Sequence, residues 1–247
     1  MIPDNPTLSQ LHARKSVRAY DLSRAVTGEL KARLFDAAIT APTAGNMCLY
    51  AILDITDEGI KTKLSVLCDN QPFIAKAPVA LVFLADWQRW FDGFAVAAGG
   101  GLRRPAEGDL LLAATDAVIA AQNVVVAAEA LGLGSCYIGD ILEQHEEIAA
   151  LLNIPRYAVP VAMLCIGYPA QSQMDREKPP RFSRKYLVHE NTYRAADEKA
   201  LRAMFEERDP KRGFDHEVPA MAARKWNTEF MAEMNRSVKA WIGRWCE

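Results

Sequence analysis

The stretch Ala77-Pro-Val-Ala-Leu-Val-Phe-Leu-Ala85 is apolar throughout, with a single proline at its second position. A continuous apolar run of this length is typical of a strand that is covered on both of its faces. A strand covered in this way needs a packing layer on each side of its sheet. The run therefore predicts a central strand with helices above and below it.

On both sides of this run, strand-like and helix-like patterns alternate. Further strands are predicted at residues 50–56, 135–138 and 159–166. Helices are predicted from the N-cap Thr27 to residue 40, over 57–67 and 109–132, and from a cap at Asp140 to Pro155. Short and long connections occur together, which predicts a mixed sheet with helices packed on its faces.

The composition limits the class of protein. The chain has 247 residues, of which 50% are hydrophobic, so it can bury the core of one large domain or two small ones. Its 29 basic and 31 acidic residues leave a net charge of −2, which argues against a polycation that binds nucleic acid. Five scattered cysteines without a CxxC pair indicate reduced thiols and a cytoplasmic protein.

Neither a signal peptide nor a membrane span is predicted. Residues 1–6 lack the charged-then-apolar pattern of a secretory signal. The most apolar stretch, residues 110–133, is interrupted by Asp116 and three other polar residues. We therefore expect a buried helix there.

The tail has a different pattern. It is helical from residue 198, with breaks predicted at Asp209-Pro210 and at Pro219. Six apolar residues then follow at steps of three or four: Trp226, Phe230, Met234, Val238, Trp241 and Trp245. This spacing predicts one helix over 221–245, whose stripe covers either its own domain or a second subunit. We predict one domain over residues 1–193 and a helical extension over 194–247.

A basic cluster, Arg14-Lys-Ser-Val-Arg18, precedes all of these elements. Arginine offers a planar fork of donors, serine a short hydroxyl and lysine a point charge, which together suit a phosphate group. A solvated, basic end of a helix is the alternative interpretation of this segment by itself.

No motif for side-chain catalysis is present. The glycines at 132, 134 and 139 do not have the GxGxxG spacing, and neither a P-loop, nor HExxH, nor GxSxG occurs. The four histidines are too dispersed to predict a metal site. If the chain is an enzyme, a cofactor is expected to supply its chemistry.

Five segments, in this order, resemble the nitroreductase family of FMN enzymes. They are Arg14-Lys-Ser-Val-Arg-Ala-Tyr20, Ala41-Pro-Thr-Ala-Gly-Asn-Met47, Asn70-Gln-Pro-Phe-Ile74, Gly132-Leu-Gly-Ser-Cys-Tyr-Ile-Gly-Asp140, and Arg181 before His189-Glu-Asn-Thr-Tyr193. The resemblance covers residues 8–193, and the tail resembles the extended arm of some members. It implies a three-layer α+β fold with a mixed or antiparallel central sheet, in an intertwined homodimer with FMN at the interface.

The resemblance also implies a role for each matching residue. The phosphate and ribityl chain of FMN would be held by Arg14, Lys15 and Ser16, with Arg181 as a second phosphate clamp. The flavin ring would meet Arg18 at its N1–C2=O edge, Gln71 at its pyrimidine edge, and the backbone of Ile138, Gly139 and Asp140 at its N5 side. Thr43 and Asn46 would approach from the other subunit.

Two positions depart from the pattern of the family. The chain reads Lys178-Pro-Pro-Arg181 where relatives often read Lys-Pro-Arg, which leaves the role of Lys178 open. Cys48 stands where many relatives carry glutamine.

The implied activity is ping-pong hydride transfer from NADH or NADPH, through FMN, to a small oxidised acceptor such as a nitroaromatic, a quinone or a free flavin. Reductive dehalogenation of halogenated tyrosines or phenols, and a non-catalytic FMN-binding module, are alternatives. The glycine-rich stretch 97–108 is a candidate lid. Its Arg103 and Arg104 either attract the phosphates of the nucleotide or belong to a solvated loop.

Overall fold

The computed structural model describes residues 5–99 and 101–247. Residues 1–4, where the sequence predicts no signal pattern, and Gly100 of the candidate lid lie outside the described residues. The chain forms two compact units: one contains the residues up to Arg176 together with Glu233–Glu247, and the other contains Glu177–Ala232. The predicted division at residue 193 falls inside the second unit and stays a prediction.

The first unit contains a four-stranded sheet. Its strands are β1 (Tyr50–Asp54), β2 (Val79–Asp86), β3 (Gly134–Ile138) and β4 (Ala158–Gly167), in the order β1-β2-β4-β3. The three pairings between these strands are antiparallel. A mixed or an antiparallel sheet was predicted above. The described strands form an antiparallel sheet.

Every residue of β2 is buried, which confirms the central strand. Its side chains alternate between two core clusters. Val82 and Leu84 belong to one cluster, while Leu81 and Phe83 belong to the other. Because successive side chains of a strand point to opposite faces, the two clusters are the two faces of the sheet.

Helices provide the outer layers of this three-layer fold. Those of the first unit are α1 (Pro6–Ala13), α2 (Gly28–Ile39), α3 (Glu58–Leu67), α4 (Pro72–Ala75), α5 (Gln88–Ala98), α6 (Glu107–Ala130), α7 (His145–Leu151) and α8 (Gln171–Met174). Buried residues of α2 and α6 join Leu81 and Phe83. Buried residues of α3 and α7 join Val82 and Leu84 on the other face.

Short polar side chains cap two of these helices, and the cap at Thr27 was predicted. Thr27 Oγ1 accepts from the backbone N–H of Leu30 at 3.3 Å, and Asp57 Oδ1 accepts from that of Ile60 at 2.8 Å. The predicted cap at Asp140 is wrong. The 3₁₀ turn Asp140–Leu142 occupies this position, and α7 begins at His145. The Asp140 carboxylate accepts from Gln71 Nε2 instead of capping a helix.

Helix α6 is long and apolar enough to cross a membrane by length and composition alone. It packs instead against the sheet, with Ala117, Ala121 and Val124 fully buried. The buried carboxylate of Asp116 also lies on this helix. The described structure therefore uses α6 as a core helix, as predicted.

The second unit is helical. It contains α9 (Arg184–Leu187), α10 (Glu198–Arg208), α11 (Gly213–Met221) and a π-helical turn, Ala222–Trp226. Phe205 packs edge-on against Phe182 and Phe214, with ring centroids 5.1 and 5.6 Å away. The predicted break at Asp209-Pro210 is confirmed, because α10 ends at Arg208.

The predicted single helix over 221–245 is wrong. Pro219 lies inside α11, and the chain breaks at Asn227 before α12 (Glu229–Cys246) begins. The break has a local cause, since Thr228 caps the new helix by accepting from the N–H of Met231 at 3.2 Å. The apolar stripe is divided accordingly: Trp226 is 76% exposed, while Trp241 and Trp245 are buried in the core of the first unit.

Candidate cofactor site

The basic cluster lies against the edge strand β3. Ser16 forms a bridge with Ser135, and the Val17 N–H donates to the Ser135 carbonyl at 2.9 Å. The two backbones approach so closely that a Cβ on Gly134 would lie 2.4 Å from Val17 Cγ2. Glycine at 134 is thus what allows the cluster to dock on the sheet.

Arg14 carries an unsatisfied buried donor. Its Nη1 is buried, and no residue that the structure describes is a hydrogen-bond partner for it. A buried charged donor without an acceptor is costly, so such an atom is expected to meet an anionic group when a ligand is bound. This observation fits the phosphate that the resemblance assigns to Arg14.

Lys15 and Ser16 are held by the segment that follows β4. Lys15 Nζ donates to the carbonyl of Met174 at 2.7 Å and also to the carbonyl of Arg176. Arg176 in turn donates to the carbonyl of Ser16. Two carbonyl oxygens occupy two of the three donors of the ammonium group, which leaves one donor for a ligand.

Arg18 is exposed, and two neighbours hold it. Its guanidinium carbon lies 6.0 Å from the centroid of the Phe73 ring. The backbone N–H of Arg18 donates to Gln173 Oε1 at 3.2 Å. Burial raises the pKa of the neighbouring Cys136 thiol, and the charge of Arg18 opposes that shift. The arginine therefore provides an accessible positive charge beside the end of β3.

Gln71, directly before α4, forms a side-chain hydrogen bond with the turn after β3. Its Nε2 donates to the Cys68 carbonyl at 2.9 Å and to Asp140 Oδ2 at 2.5 Å. The pKa of the Cys68 thiol is raised, first by burial and then by the charge of Asp140. The structure thus brings Gln71 next to the segment of Ile138 and Gly139.

Ile138 and Gly139 differ in exposure. The Ile138 side chain is buried at the end of β3, whereas Gly139 is exposed and a Cβ there would meet no atom within 4 Å. The backbone at Gly139 is therefore open to a flat ligand.

Thr43 and Asn46 lie elsewhere in this chain. They belong to the turn before β1, whereas the basic cluster lies on β3 at the opposite edge of the sheet. Two strands lie between, so three strand spacings, about 14 Å, separate the two edges. The Thr43 hydroxyl donates to Asp116 Oδ2 and accepts from the N–H of Cys48 at 2.8 Å.

Arg181 belongs to the second unit, where its Nη1 donates to the Pro179 carbonyl at 3.4 Å. Its role, and that of Lys178 in the same segment, stay predictions. Within the first unit, the structure brings together Arg14, Lys15, Ser16, Arg18, Gln71, Ile138 and Gly139.

Comparisons with known proteins identify the family. The model of the Nitroreductase family matches residues 11–168. The chain belongs to the nitroreductase family. It is 32% identical over 191 residues to the FMN reductase (NADPH) of Bacillus subtilis, which is 76% of this chain and 75% of that protein. It is 32% identical over 197 residues to the oxygen-insensitive NADPH nitroreductase of Salmonella typhimurium, covering 80% and 78% of the two chains.

Solved structures of nitroreductases agree with this assignment. The NADPH:FMN oxidoreductase from Vibrio harveyi, complexed with NAD⁺, superposes with a TM-score of 0.77 at 25% identity. The match covers 95% of this chain and 98% of that one. The α+β fold of this nitroreductase is therefore the fold of its family.

The sequence did not predict two carboxylates that organise this nitroreductase. Asp116, on the core helix α6, accepts from the N–H groups of Ala44 at 3.0 Å and Leu49 at 3.2 Å, besides the Thr43 hydroxyl. The sequence did contain an indication of the role of Asp116, because it is an acidic residue inside an apolar helix. The side chain of Asp140 gave no such signal, because its partner Gln71 lies 69 residues away.

The candidate lid is attached to its surroundings. Arg103 donates to both oxygens of Asp109, at 2.5 and 2.9 Å, and Arg104 donates to the carbonyl of Glu247. Trp245 Nε1 donates to the Ala106 carbonyl at 3.1 Å. Both arginines thus already have protein partners, and any contact with a nucleotide stays a prediction.

Proposed function

We propose that this nitroreductase is an FMN-dependent oxidoreductase that takes hydride from NADH or NADPH and reduces a small oxidised acceptor. The observation that carries the proposal is the buried Nη1 of Arg14, next to Lys15 and Ser16, which has no hydrogen-bond partner in the described part of the chain. The relatives named FMN reductase and NADPH nitroreductase support the same cofactor and the same reductant. The acceptor class is a nitroaromatic, a quinone or a free flavin.

The residues present fit FMN. Arg14, Lys15 and Ser16 would hold the phosphate end, and the resemblance implies Arg181 as a second phosphate clamp. Gln71 and the open backbone at Ile138 and Gly139 would hold the ring. Bound FMN supplies the redox chemistry by accepting hydride at its ring and passing it on.

Arg18 is the electrostatic residue of the proposed site. Its exposed guanidinium would place a positive charge near the ring, where negative charge develops when a flavin is reduced. Gln173 accepts from its backbone N–H, and Phe73 lies beside its guanidinium. Water can supply the protons, so the lack of a side-chain acid–base pair in the sequence motifs is no obstacle.

A homodimer completes the proposed site. Thr43 and Asn46 of one chain precede β1, whose sheet edge is about 14 Å from the edge that carries the basic cluster, so they would serve the site of a partner. Helix α6 also exposes Leu111 and Val118, although its other face forms the core. An apolar stripe on an exposed helix face supports a protein partner there.

We also place the protein in the cytoplasm. The five cysteines are all free, and three of them are buried. Unpaired thiols are typical of proteins in reducing compartments.

The test is anaerobic reduction of the FMN-loaded protein by NADH and by NADPH. We expect the flavin absorbance to bleach and to return when a nitroarene or a quinone is added. A flavoprotein that neither nucleotide can bleach would be a binding module, and the proposed hydride transfer would be wrong. Reoxidation by a halogenated tyrosine, but by neither acceptor class, would instead indicate a dehalogenase.

A further inference from the structure

The side-chain amide of Gln71 has a single favourable orientation. Both hydrogen atoms of its Nε2 are used, one by the Cys68 carbonyl and one by the Asp140 carboxylate. Turning the amide over would place its oxygen against these two acceptors, which have no proton to offer. The hydrogen-bond network therefore assigns nitrogen and oxygen without ambiguity.

The backbone on both sides of this amide is also fixed. The Gln71 N–H donates to the Ser65 carbonyl at 2.7 Å, and its carbonyl accepts from Ile74 at 3.1 Å. Asp140 begins a 3₁₀ turn in which the Glu143 N–H donates to its carbonyl at 3.0 Å. Two rigid segments therefore hold the Gln71–Asp140 pair in place.

The remaining polar atom of the amide is Oε1. In the part of the chain that the structure describes, no donor contacts it, and Gln71 is only half-buried. The pair thus presents an acceptor to a ligand, with the donors turned inward. Among the edge groups of an isoalloxazine ring, N3–H is the donor, and it lies between two carbonyl acceptors.

We propose that Asp140 is a positioning residue, which holds the Gln71 amide so that Oε1 accepts a hydrogen bond from the imide N–H of FMN. This inference rests on the proposed function, since it takes Gln71 as a flavin contact. Asp140 acts through Gln71 and needs no contact with the ring. Without Asp140, only the Cys68 carbonyl would oppose turning of the amide, so the NH₂ group would turn outward more often and meet the N3–H as donor against donor.

The test compares two flavins and four proteins. The probes are FMN and 3-methyl-FMN, which lacks the imide hydrogen, and the measurement is the Kd of the apoprotein by quenching of flavin fluorescence. Asp140→Ala removes the acceptor of Gln71, whereas Asp140→Asn keeps an oxygen acceptor and removes the charge. Asp92→Ala is the matched control, because Asp92 accepts from the amide of Gln88 at 2.9 Å in another, exposed Gln–Asp pair.

We expect the wild-type protein and Asp92→Ala to prefer FMN to 3-methyl-FMN at least about tenfold, the effect of one well-made hydrogen bond. Asp140→Asn retains most of this preference. In Asp140→Ala the preference falls toward one, and FMN itself binds about tenfold more weakly. A merely structural role would weaken both flavins equally and would leave their ratio unchanged.

A second variant covers the case in which Asp140→Ala does not fold. In Gln71→Ala the preference for FMN is lost, and adding Asp140→Asn to it changes neither Kd further, because the two residues act as one unit. An undiminished preference in Asp140→Ala, or independent effects in the double variant, would overturn the inference alone. Failure of the wild-type apoprotein to bind FMN would overturn the proposed function and the inference with it.

Discussion

At the scale of single residues, Arg14 and Asp116 differ in how their buried polar atoms are satisfied. Asp116 has its hydrogen-bond donors within the protein, in the turn before β1. Among the described residues, no acceptor contacts the buried Nη1 of Arg14. Buried donors of Arg156, Trp241 and Arg244 have no partner there either, so it is the position of Arg14 beside Lys15 and Ser16 that favours an anionic ligand.

Replacing Arg14 tests this distinction. Arg14→Ala should weaken FMN binding by about tenfold to a hundredfold, since a charge-assisted hydrogen bond contributes about 1.5–3 kcal/mol. Riboflavin, which has no phosphate, should bind Arg14→Ala and the wild type equally. Arg33→Ala, which breaks an exposed pair with Glu29, is the control and should change neither affinity. Equal losses for both flavins would contradict the phosphate contact.

At the scale of elements, α12 carries the clearest consequence of the fold. Trp241 and Trp245 are 1% and 0% exposed, whereas Trp226, in the same predicted stripe, is 76% exposed. The residues share a spacing in the sequence but not an environment. Their contributions to stability should therefore differ widely.

Alanine substitutions measure that difference. Trp241→Ala and Trp245→Ala should each lower the free energy of unfolding by about 3–5 kcal/mol, because each leaves a large cavity in the core. Trp226→Ala is the matched control and should change it by less than about 0.5 kcal/mol. Urea denaturation of the three variants decides the point. Similar losses at all three positions would mean that Trp226 is covered in solution.

The ion pair that joins α12 to α7 should stabilise the protein in a way that depends on pH. Arg236 donates to both oxygens of Glu146, at 2.9 and 2.8 Å, and these bonds lower the pKa of Glu146 from 4.5 to about 2. A carboxyl whose pKa is lower in the folded state stabilises the protein above its unfolded pKa. That stabilisation is lost as the pH falls from about 4.5 toward 2.

Glu146→Gln should therefore reduce the acid dependence of stability. Urea midpoints of the wild type and the variant should converge as the pH is lowered from 6 to 3, and the wild type should be the more stable at pH 6. Glu29→Gln, at an exposed i,i+4 pair with Arg33, provides the control. A constant difference between wild type and variant over this range would show that the pair does not titrate as described.

At the scale of the whole molecule, the proposed site is divided between the two edges of one sheet. The basic cluster is at β3 and the turn with Thr43 and Asn46 is at β1, with two strands between them. If both groups contact FMN as proposed, a full site needs a second chain. Oligomeric state and FMN binding should therefore be coupled.

A charge on the exposed face of α6 tests this coupling. Val118→Arg should dissociate the dimer, as measured by sedimentation, and should weaken FMN binding at least about tenfold, because the partner's contacts are lost. Val66→Arg, at an exposed valine of α3 in the opposite layer, should leave both properties unchanged. A monomeric Val118→Arg that binds FMN normally would mean that one chain holds the complete site.

Local features of this nitroreductase could be predicted from the order of its residues. The apolar run at 77–85 is the central strand, Thr27 caps a helix, and a second helix begins next to Asp57, because these features depend on neighbouring residues in the chain. The basic cluster at residues 14–18 was visible in the same way. Each of these features depends only on residue type and spacing.

Contacts between residues that are distant in the sequence became visible only in the folded chain. Gln71 and Asp140 form a pair, the apolar stripe is divided between Trp226 and the buried Trp241 and Trp245, and Thr43 lies far from the basic cluster of its own chain. These relations follow from the order of the strands and from competition for buried space. The local periodicity of the sequence encodes neither the strand order nor the competition for buried space. Both depend on contacts between residues that lie far apart along the chain.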